Sequence, residues 1–300
     1  MTPPKKRPTR RAPNRTGVDK RGQAPRQRRQ FEEKGRDQGR EQGREQRGQA
    51  QRGSGRDDRG QQIEGRRAVR ELLVAGHRKV HELMVSSGAD DAPELTELQS
   101  LAREAGVRIK SVPPDQIERR ARTGAPQGVI AIAAAVPAAD LDDLLADPGA
   151  FLVALDGVTD PQNLGAVMRS AETAGATGIV LATHRAVGLT PAVAKAAAGA
   201  LEHLPVAFVS GVPGALDRAK RAGVWCVGLD ADGDQLLFDL SVADAPLVLV
   251  LGAEGRGLSR LARTRCDVIA SIPMHGHIES LNVSAAAAVA CTEIARRRAG

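Results

Sequence analysis

Aromatic residues are scarce in this chain of 300 residues, which contains four Phe, one Trp and no Tyr. The hydrophobic content of 41% is enough for a core, so that core must consist of Ala, Val, Leu and Ile. Proteins that bind RNA by stacking its bases need exposed aromatic rings, and the composition argues against that mode of binding. The length predicts one large domain or two ordinary ones.

Cysteine is also rare. Cys226, Cys266 and Cys291 lie far apart, and no CxxC pair occurs. The sequence therefore indicates neither a disulfide framework nor a zinc site, and it suits a reducing compartment. The first residues are charged and Pro-rich, and no apolar run approaches the roughly 18 residues that a membrane span needs. We expect a soluble, cytoplasmic protein with no membrane contact.

The positive charge is confined to one end of the chain. Residues 1–60 hold 19 Lys and Arg against 8 Asp and Glu, whereas the rest holds 24 basic and 28 acidic residues. The first segment is rich in Arg, Gln and Gly and has almost no apolar side chain, so we expect a disordered tail. A polycationic tail suits a polyanion such as RNA, although it could also serve only to keep the protein soluble.

Hydrophobic patterning divides the remainder into three segments. Residues 61–136 read as a small α/β unit, with helices predicted over 62–75, 92–105 and 114–122 and strands over 80–85, 107–112 and 128–133. Its basic residues could contact phosphate or merely face solvent; they are Arg66, Arg67, Arg70, Arg78, Lys79, Arg119, Arg120 and Arg122. Residues 137–150 are rich in Pro and Asp and are predicted to form an interdomain linker with a short helix.

The second domain, residues 151–300, alternates apolar runs with helical patterns. Strands are predicted over 151–156, 178–183, 204–209, 224–229, 246–252 and 268–274. Helices are predicted over 163–175, 190–200, 213–222, 258–263 and 281–298. Strands that are apolar throughout are typical of a parallel sheet covered on both faces, so we predict an open, doubly wound α/β sheet.

Three loops that follow predicted strands carry polar residues. In the first, Asn163 and Arg169 lie at the start of a helix, where a helix cap and a surface arginine are the simple alternatives. In the second, Glu254 stands among Gly252, Gly255 and Gly257, without the spacing of a dinucleotide or Walker A loop. Because ligands bind at the carboxyl ends of parallel strands, these loops are candidate sites.

The third loop, residues 272–284, contains Ile272, Ser280, Leu281 and Asn282 and leads into an Ala-rich helix. Ser280 or Asn282 could simply cap that helix. His275 and His277 invite a metal interpretation, but no third ligand is evident, so we predict no metal site.

Together the three loops resemble the motifs of the SpoU (TrmH-type) family of SPOUT RNA ribose 2′-O-methyltransferases. The second loop is similar to the pattern Gly-x-Glu-x-x-Gly-Leu and the third to Ile-Pro-Met-x-Gly…Ser-Leu-Asn-Val-Ser. Residues 61–136 also resemble the family's small substrate-binding domain, related in fold to ribosomal protein L30e. That domain often ends in His-Gln-Gly-Val, where this chain has Pro126-Gln-Gly-Val129.

The resemblance implies a deep trefoil knot near the C-terminus, which sequence patterns alone would not suggest because knots are nearly absent from folds. It implies that S-adenosylmethionine binds in the knot, with Gly252, Ile272 and Leu281 as the residues that hold it. It further implies a homodimer whose active sites are completed across the interface.

The implied reaction moves a methyl group from a sulfonium to a ribose hydroxyl, which is a weak nucleophile until its alkoxide is stabilised. The resemblance implies that Arg169 activates the ribose hydroxyl or stabilises its alkoxide. Because a guanidinium is normally always charged, Arg169 could act as a base or as a fixed positive group. Asn163 would position Arg169 or the ribose, and Glu254, Ser280 and Asn282 would fix the nucleotide and the loops.

The order of the two domains resembles the RlmB-like subgroup, which methylates a guanosine of 23S rRNA. A guanosine of tRNA is the alternative substrate, and an rRNA adenosine, as in thiostrepton-resistance enzymes, is the third. A non-catalytic RNA-binding factor of ribosome assembly also stays open. A nucleotide-dependent oxidoreductase is disfavoured because the glycine fingerprint and its acidic partner are missing.

Overall fold

Two β-sheets organise the part of the chain that the computed structural model describes, which comprises residues 60–88, 92–183, 188–277 and 280–300. Nearly all of the predicted tail, residues 1–59, lies outside these ranges. No helix in the described ranges is long and apolar enough to cross a membrane.

The first sheet has the strand order β1-β4-β2-β3. Its strands are β1 (Gln61–Glu64), β2 (Val80–Ser86), β3 (Arg108–Val112) and β4 (Val129–Ala133). Strand β4 is antiparallel to β1 and β2, and β2 is parallel to β3. The accompanying helices are α1 (Arg66–Ala75), α2 (Pro93–Glu104) and α3 (Pro114–Arg120).

The first element of this sheet was mispredicted. The sequence pattern placed a helix from residue 62, whereas Gln61–Glu64 is a strand and the helix begins at Arg66. Gly65 separates the two with φ of 96°, a conformation that favours glycine. The strand exists because it pairs with β4, which is far away in sequence and gives no local signal.

The second sheet has the order β7-β6-β5-β10-β8-β11-β9, and every strand pair is parallel. Its strands are β5 (Phe151–Asp156), β6 (Gly178–Ala182), β7 (Val206–Val209), β8 (Trp225–Leu229), β9 (Gln235–Leu236), β10 (Leu247–Gly252) and β11 (Val268–Ser271). The predicted α/β fold with a parallel sheet is confirmed, and all six predicted strands are present. The additional strand β9 has only two residues, too few for a recognisable pattern.

Helices cover both faces of this sheet. They are α4 (Leu141–Leu145), α5 (Pro161–Thr173), α6 (Pro191–Ala196), α7 (Val212–Arg221), α8 (Arg260–Arg265) and α9 (Val283–Arg298). In β5, Val153 packs with the helices α5, α6 and α9, and its neighbours Leu152 and Ala154 pack on the opposite face. The alternation shows why the strands are apolar throughout.

Helix α4 lies within the segment that was predicted to be a linker. Leu141 and Leu145 are buried in the core of the second sheet, and Ala138 forms a bridge to Val206 of β7. The predicted short helix is therefore present, and residues 138–145 pack against the second sheet.

Strands β5 and β10 form the central pair of the second sheet. They pair along their whole length, from Phe151 opposite Leu247 to Asp156 opposite Gly252. Strands β6 and β7 extend to one side of this pair, and β8, β11 and β9 extend to the other. Loops that leave the carboxyl ends of neighbouring strands in opposite directions form a crevice between them. The three polar loops of the sequence follow β5, β10 and β11 at this edge.

Candidate active site

Asn163 lies inside the first turn of α5 rather than at its cap. Asp160 is the N-cap residue, and its carboxylate accepts a hydrogen bond from the Gln162 N–H at 2.8 Å. Pro161 occupies the first helical position, where its missing N–H costs nothing. The simple interpretation of Asn163 as a helix cap is therefore wrong, and its side chain is free to face the neighbouring loops while being only 8% exposed.

Glu254 is presented by a tight turn that follows β10. Ala253 and Gly257 exchange two backbone hydrogen bonds, of 3.1 and 2.9 Å, which close the turn. Gly255 and Gly257 have φ values of 73° and 61°, so the turn depends on glycine at both positions. The turn holds the Glu254 carboxylate beside the start of α5.

Asn282 is the N-cap of α9. Its Oδ1 atom accepts hydrogen bonds from the Ser284 N–H at 2.8 Å and from the Ser284 hydroxyl at 2.5 Å. The capping interpretation is thus confirmed for Asn282. Because the cap uses only the oxygen, the Nδ2 atom is left to donate elsewhere.

Asn163, Glu254 and Asn282 form one hydrogen-bonded group, which we call the amide–carboxylate cluster. Nδ2 of Asn163 donates to Oε1 of Glu254 at 2.8 Å, and Nδ2 of Asn282 donates to the same oxygen. Nδ2 of Asn282 also lies 3.1 Å from Oδ1 of Asn163. The cluster joins all three loops, and hydrogen bonds to a carboxylate are the stronger kind.

A cavity of about 730 Å³ adjoins the cluster. Its lining includes five of the predicted site residues, namely Gly252, Glu254, Ile272, Ser280 and Leu281. Apolar walls come from Leu229 and Leu251, acidic groups come from Asp230 and Asp232, and Arg256 adds one cation. A concave site of this size with apolar walls and a few polar groups suits a small organic ligand, and its acidic side suits a cationic one.

Gly252 is required by the protein's own packing. A Cβ atom at this position would collide with the backbone of Gly257 and Leu258. The turn that carries Glu254 therefore folds back against the end of β10 with no room for a side chain. Asp156 supports the far side of the turn, since its carboxylate accepts a hydrogen bond from the Ser259 N–H at 2.7 Å.

Arg169 lies apart from the amide–carboxylate cluster. It is exposed on α5, its side chain makes no hydrogen bond or ion pair within the described ranges, and it does not line the cavity. Ser280 is also exposed, at the rim of the cavity. The structure thus brings together three of the five predicted catalytic residues and places Ser280 nearby.

Sequence reasoning missed two acidic residues of this edge. Asp160 caps α5, and Asp230, which follows β8, lines the cavity and pairs with Arg263 at 2.7 Å. A signal existed for both: Asp before Pro marks a helix start, and a polar residue after a buried strand marks the ligand edge.

His275 and His277 are both exposed. Within the described ranges, no group of three or more His, Cys, Asp or Glu side chains is arranged to hold a metal ion. A second cavity, of about 640 Å³, lies beside α4 and α7 and includes none of the predicted site residues.

Comparison with known proteins agrees with this geometry. A family model described as the SpoU rRNA Methylase family matches residues 150–292, and one described as RNA 2′-O ribose methyltransferase substrate binding matches residues 62–139. A tRNA/rRNA methyltransferase of the TrmH family from Bacillus subtilis, YacO, is 39% identical over 239 residues, which are 78% of this chain and 94% of the relative. An uncharacterized tRNA/rRNA methyltransferase of Mycolicibacterium vanbaalenii is 42% identical over 78% of this chain and 76% of its own.

Solved structures give the same result. The SpoU methyltransferase AviRb from Streptomyces viridochromogenes, in complex with AdoMet, has a TM-score of 0.68 and 31% identity, covering 79% of this chain and 90% of its own. An AdoMet-bound rRNA methyltransferase from Sinorhizobium meliloti has a TM-score of 0.67 and 27% identity, covering 80% and 88%.

The fold is that of known RNA methyltransferases. The chain belongs to the SpoU rRNA methylase family. The family predicted from the three motifs is therefore confirmed.

Proposed function

We propose that this protein transfers the methyl group of S-adenosylmethionine to a ribose 2′-hydroxyl of RNA, and that its substrate is a guanosine of 23S rRNA. The observation that carries the proposal is the amide–carboxylate cluster beside a cavity at the carboxyl edge of the parallel sheet. Family membership and the match of residues 62–139 to a substrate-binding model support an RNA substrate.

The residues around the cavity fit S-adenosylmethionine. When bound, this molecule supplies a methyl group activated by its sulfonium, which carries a positive charge. The carboxylates of Asp232 and Glu254 complement that charge, whereas Asp230 is already paired with Arg263. The apolar wall that includes Ile272 suits an adenine ring. Leu281 is 40% exposed at the cavity, as expected of an apolar side chain that a ligand covers. We propose Gly252, Ile272 and Leu281 as the binding residues for the donor.

The chemistry forms a bond between the ribose O2′ and the methyl carbon and breaks the carbon–sulfur bond, whose electron pair stays on the sulfur as a neutral thioether. The hydroxyl proton is released to solvent water. We propose that Arg169 is essential because its fixed charge orients an RNA phosphate and stabilises the forming alkoxide. Its exposed position supports this role over that of a base, which would require burial among other cations. Asn163, Glu254, Ser280 and Asn282 would hold the nucleotide and the loops in register.

Arg169 does not line the cavity, which supports a site shared between two protomers, so we propose a homodimer. Mixing two inactive variants, Arg169→Ala and Glu254→Ala, tests this idea. If each site takes these residues from different protomers, random heterodimers regain one intact site, and about a quarter of wild-type activity returns. A mixture that stays inactive, or a monomer at micromolar concentration in sedimentation, would contradict the shared site.

We further propose the four-part organisation predicted from the sequence: a tail over 1–60, an L30e-like domain over 61–136, a connecting segment over 137–150 and a knotted domain over 151–300. The path of α9 supports the knot. In the sheet order, β11 is separated from β10 by β8. After β11 the chain crosses back over the sheet, so that α9 packs against α5 beside the turn that follows β10.

The experiment that tests the function uses S-adenosylmethionine with a tritiated methyl group and separate pools of tRNA and rRNA. Label in a guanosine of 23S rRNA is the expected result, and nuclease mapping locates it. Label in tRNA would keep the reaction and overturn the substrate. No label in either pool or in immature ribosomal particles would favour an RNA-binding assembly factor instead.

A further inference from the structure

A loop of the first sheet, residues 122–127, is anchored by a buried carboxylate. Glu64 of β1 is fully buried, and it accepts hydrogen bonds from the backbone N–H of Arg122 at 2.6 Å and of Thr123 at 3.0 Å. The Thr123 hydroxyl and the Gln62 side chain donate to the same carboxylate, the latter at 2.6 Å. These donors satisfy the buried charge and fix the backbone where the 122–127 loop begins.

A lysine on α6, a helix that covers the second sheet, forms hydrogen bonds to the middle of the same loop. Lys195, on α6, directs its Nζ atom to the carbonyl oxygens of Gly124 and Ala125, the second at 2.7 Å. The Thr123 hydroxyl lies 3.4 Å from the same nitrogen. A single cation thus ties the 122–127 loop to the domain that carries the amide–carboxylate cluster.

The 122–127 loop has an uncommon backbone. Ala125 and Gln127 have φ values of 53° and 59°, a region that residues other than glycine rarely adopt. The Gln127 side chain accepts a hydrogen bond from the Arg66 N–H at 2.9 Å, which holds the far end of the loop. Such conformations persist only where the surroundings enforce them, and they concentrate at functional positions.

A buried ion pair also joins the first sheet to the part of the chain that carries the second sheet. Arg78 and Glu202 form two hydrogen bonds, of 2.8 and 2.6 Å, with side chains only 2% and 3% exposed. Helix α6 in turn packs closely on α5, because a Cβ atom at Gly165 would lie 2.8 Å from the Ala197 nitrogen. Since α5 carries Asn163, continuous packing connects Lys195 to the cluster.

The outer side of the 122–127 loop suits a polyanion. Arg122, Gly124, Ala125 and Gln127 are exposed, and Arg122 forms no ion pair within the described ranges. Arg119 nearby is also exposed, and it forms a surface ion pair with Asp115 at 2.6 Å. With no ion-pair partner among the described residues, the Arg122 guanidinium can bind an RNA phosphate, and the hydrogen bonds of the loop fix the backbone that carries it.

We propose that the 122–127 loop contacts the phosphate backbone of the substrate RNA and that Lys195 is a positioning residue. By holding this loop, Lys195 sets where the bound RNA lies relative to the amide–carboxylate cluster. The inference rests on the proposed function, since it concerns the same RNA and the same reaction.

Steady-state kinetics of Lys195→Met test the positioning role. Displacement of the loop should lower kcat/KM for RNA about tenfold, because small errors of placement are costly for transfer reactions. The KM for S-adenosylmethionine should stay within about twofold, and Lys195→Arg should restore most of the loss. Lys220→Met is the control, because Lys220 is a lysine that bonds within the protein, to Asp267 at 2.8 Å, away from the loop. A folded Lys195→Met with wild-type kcat/KM would overturn the proposal.

A second variant, Arg122→Gln, tests the contact by RNA binding in the absence of the methyl donor. The slope of log affinity against log salt should fall by about 1, as for the loss of one phosphate contact. Arg119→Gln, which changes the neighbouring arginine outside the 122–127 loop, should alter this slope less. An unchanged slope for Arg122→Gln overturns the loop contact even if Lys195→Met does not fold. If wild-type protein transfers no methyl group, the proposed function fails, while the salt slopes still decide the loop contact.

Discussion

Removing the carboxylate of Glu254 should disable the site without unfolding the protein. Oε1 of Glu254 accepts hydrogen bonds from Asn163 and Asn282, and each bond to a charged group contributes about 1.5–3 kcal/mol. Because Glu254 is exposed, the lower end of this range applies, and the two bonds together give about 3 kcal/mol. At about 1.4 kcal/mol for each factor of ten, Glu254→Ala should lower kcat/KM for RNA by about a hundredfold.

Glu254→Gln refines this prediction. The glutamine oxygen can accept from the same two amides, but bonds to a charged acceptor are roughly twice as strong as neutral ones. About half of the free energy should remain, so kcat/KM should fall by about tenfold rather than a hundredfold.

Methyl transfer to RNA at limiting substrate gives these ratios, and thermal unfolding shows whether each variant is folded. Glu104→Ala is the control, because Glu104 is an exposed glutamate at the end of α2. The reasoning is refuted if folded Glu254→Ala keeps more than about a third of wild-type kcat/KM, or if Glu254→Gln is as active as wild type.

Four further predictions concern other parts of the chain. Glu202→Gln leaves the buried Arg78 guanidinium without its charged partner. The free energy of unfolding, measured in urea, should therefore fall by about 3–5 kcal/mol. A fall of less than about 1 kcal/mol would contradict a buried ion pair at this position. Gly252→Ala places a Cβ atom against the backbone of Gly257 and Leu258. Scanning calorimetry should therefore show a lower Tm, and titration should show no binding of S-adenosylmethionine. A normal Tm together with normal binding would refute the packing argument. Burial raises the pKa of Cys266 from 9.0 to about 12. At pH 8 the thiolate fraction of Cys266 should therefore be about a thousandfold below that of a free thiol, and alkylation of the folded protein should be slower by the same factor. Rapid alkylation of Cys266 in the folded protein would refute this. Deleting residues 1–60 should flatten the salt dependence of RNA binding and leave the methylated position unchanged, and a moved position would show that the tail selects the site.

The large sheet could be predicted because its signals are local. Each buried strand is a continuous apolar run, and the polar loops after β5, β10 and β11 stand out against it. The meeting of Asn163, Glu254 and Asn282 was expected from the family motifs and from the rule that carboxyl ends of parallel strands share an edge.

What escaped prediction depends on contacts distant in sequence. Strand β1 forms because it pairs with β4. No local sequence pattern indicates that Glu64 will accept hydrogen bonds from a loop some sixty residues later. The pair of Arg78 and Glu202 joins residues 124 positions apart. Arg78 was counted among the basic residues that could contact phosphate, whereas it is buried against Glu202 and is structural.

The most direct test of the central claim is where the methyl group goes. RNA labelled by the wild-type protein from tritiated S-adenosylmethionine is hydrolysed in alkali, which cleaves next to every free 2′-hydroxyl and spares each 2′-O-methylated position. The account predicts that the tritium is recovered in alkali-resistant dinucleotides that contain 2′-O-methylguanosine. Tritium in single nucleotides would place the methyl group on a base and contradict the account.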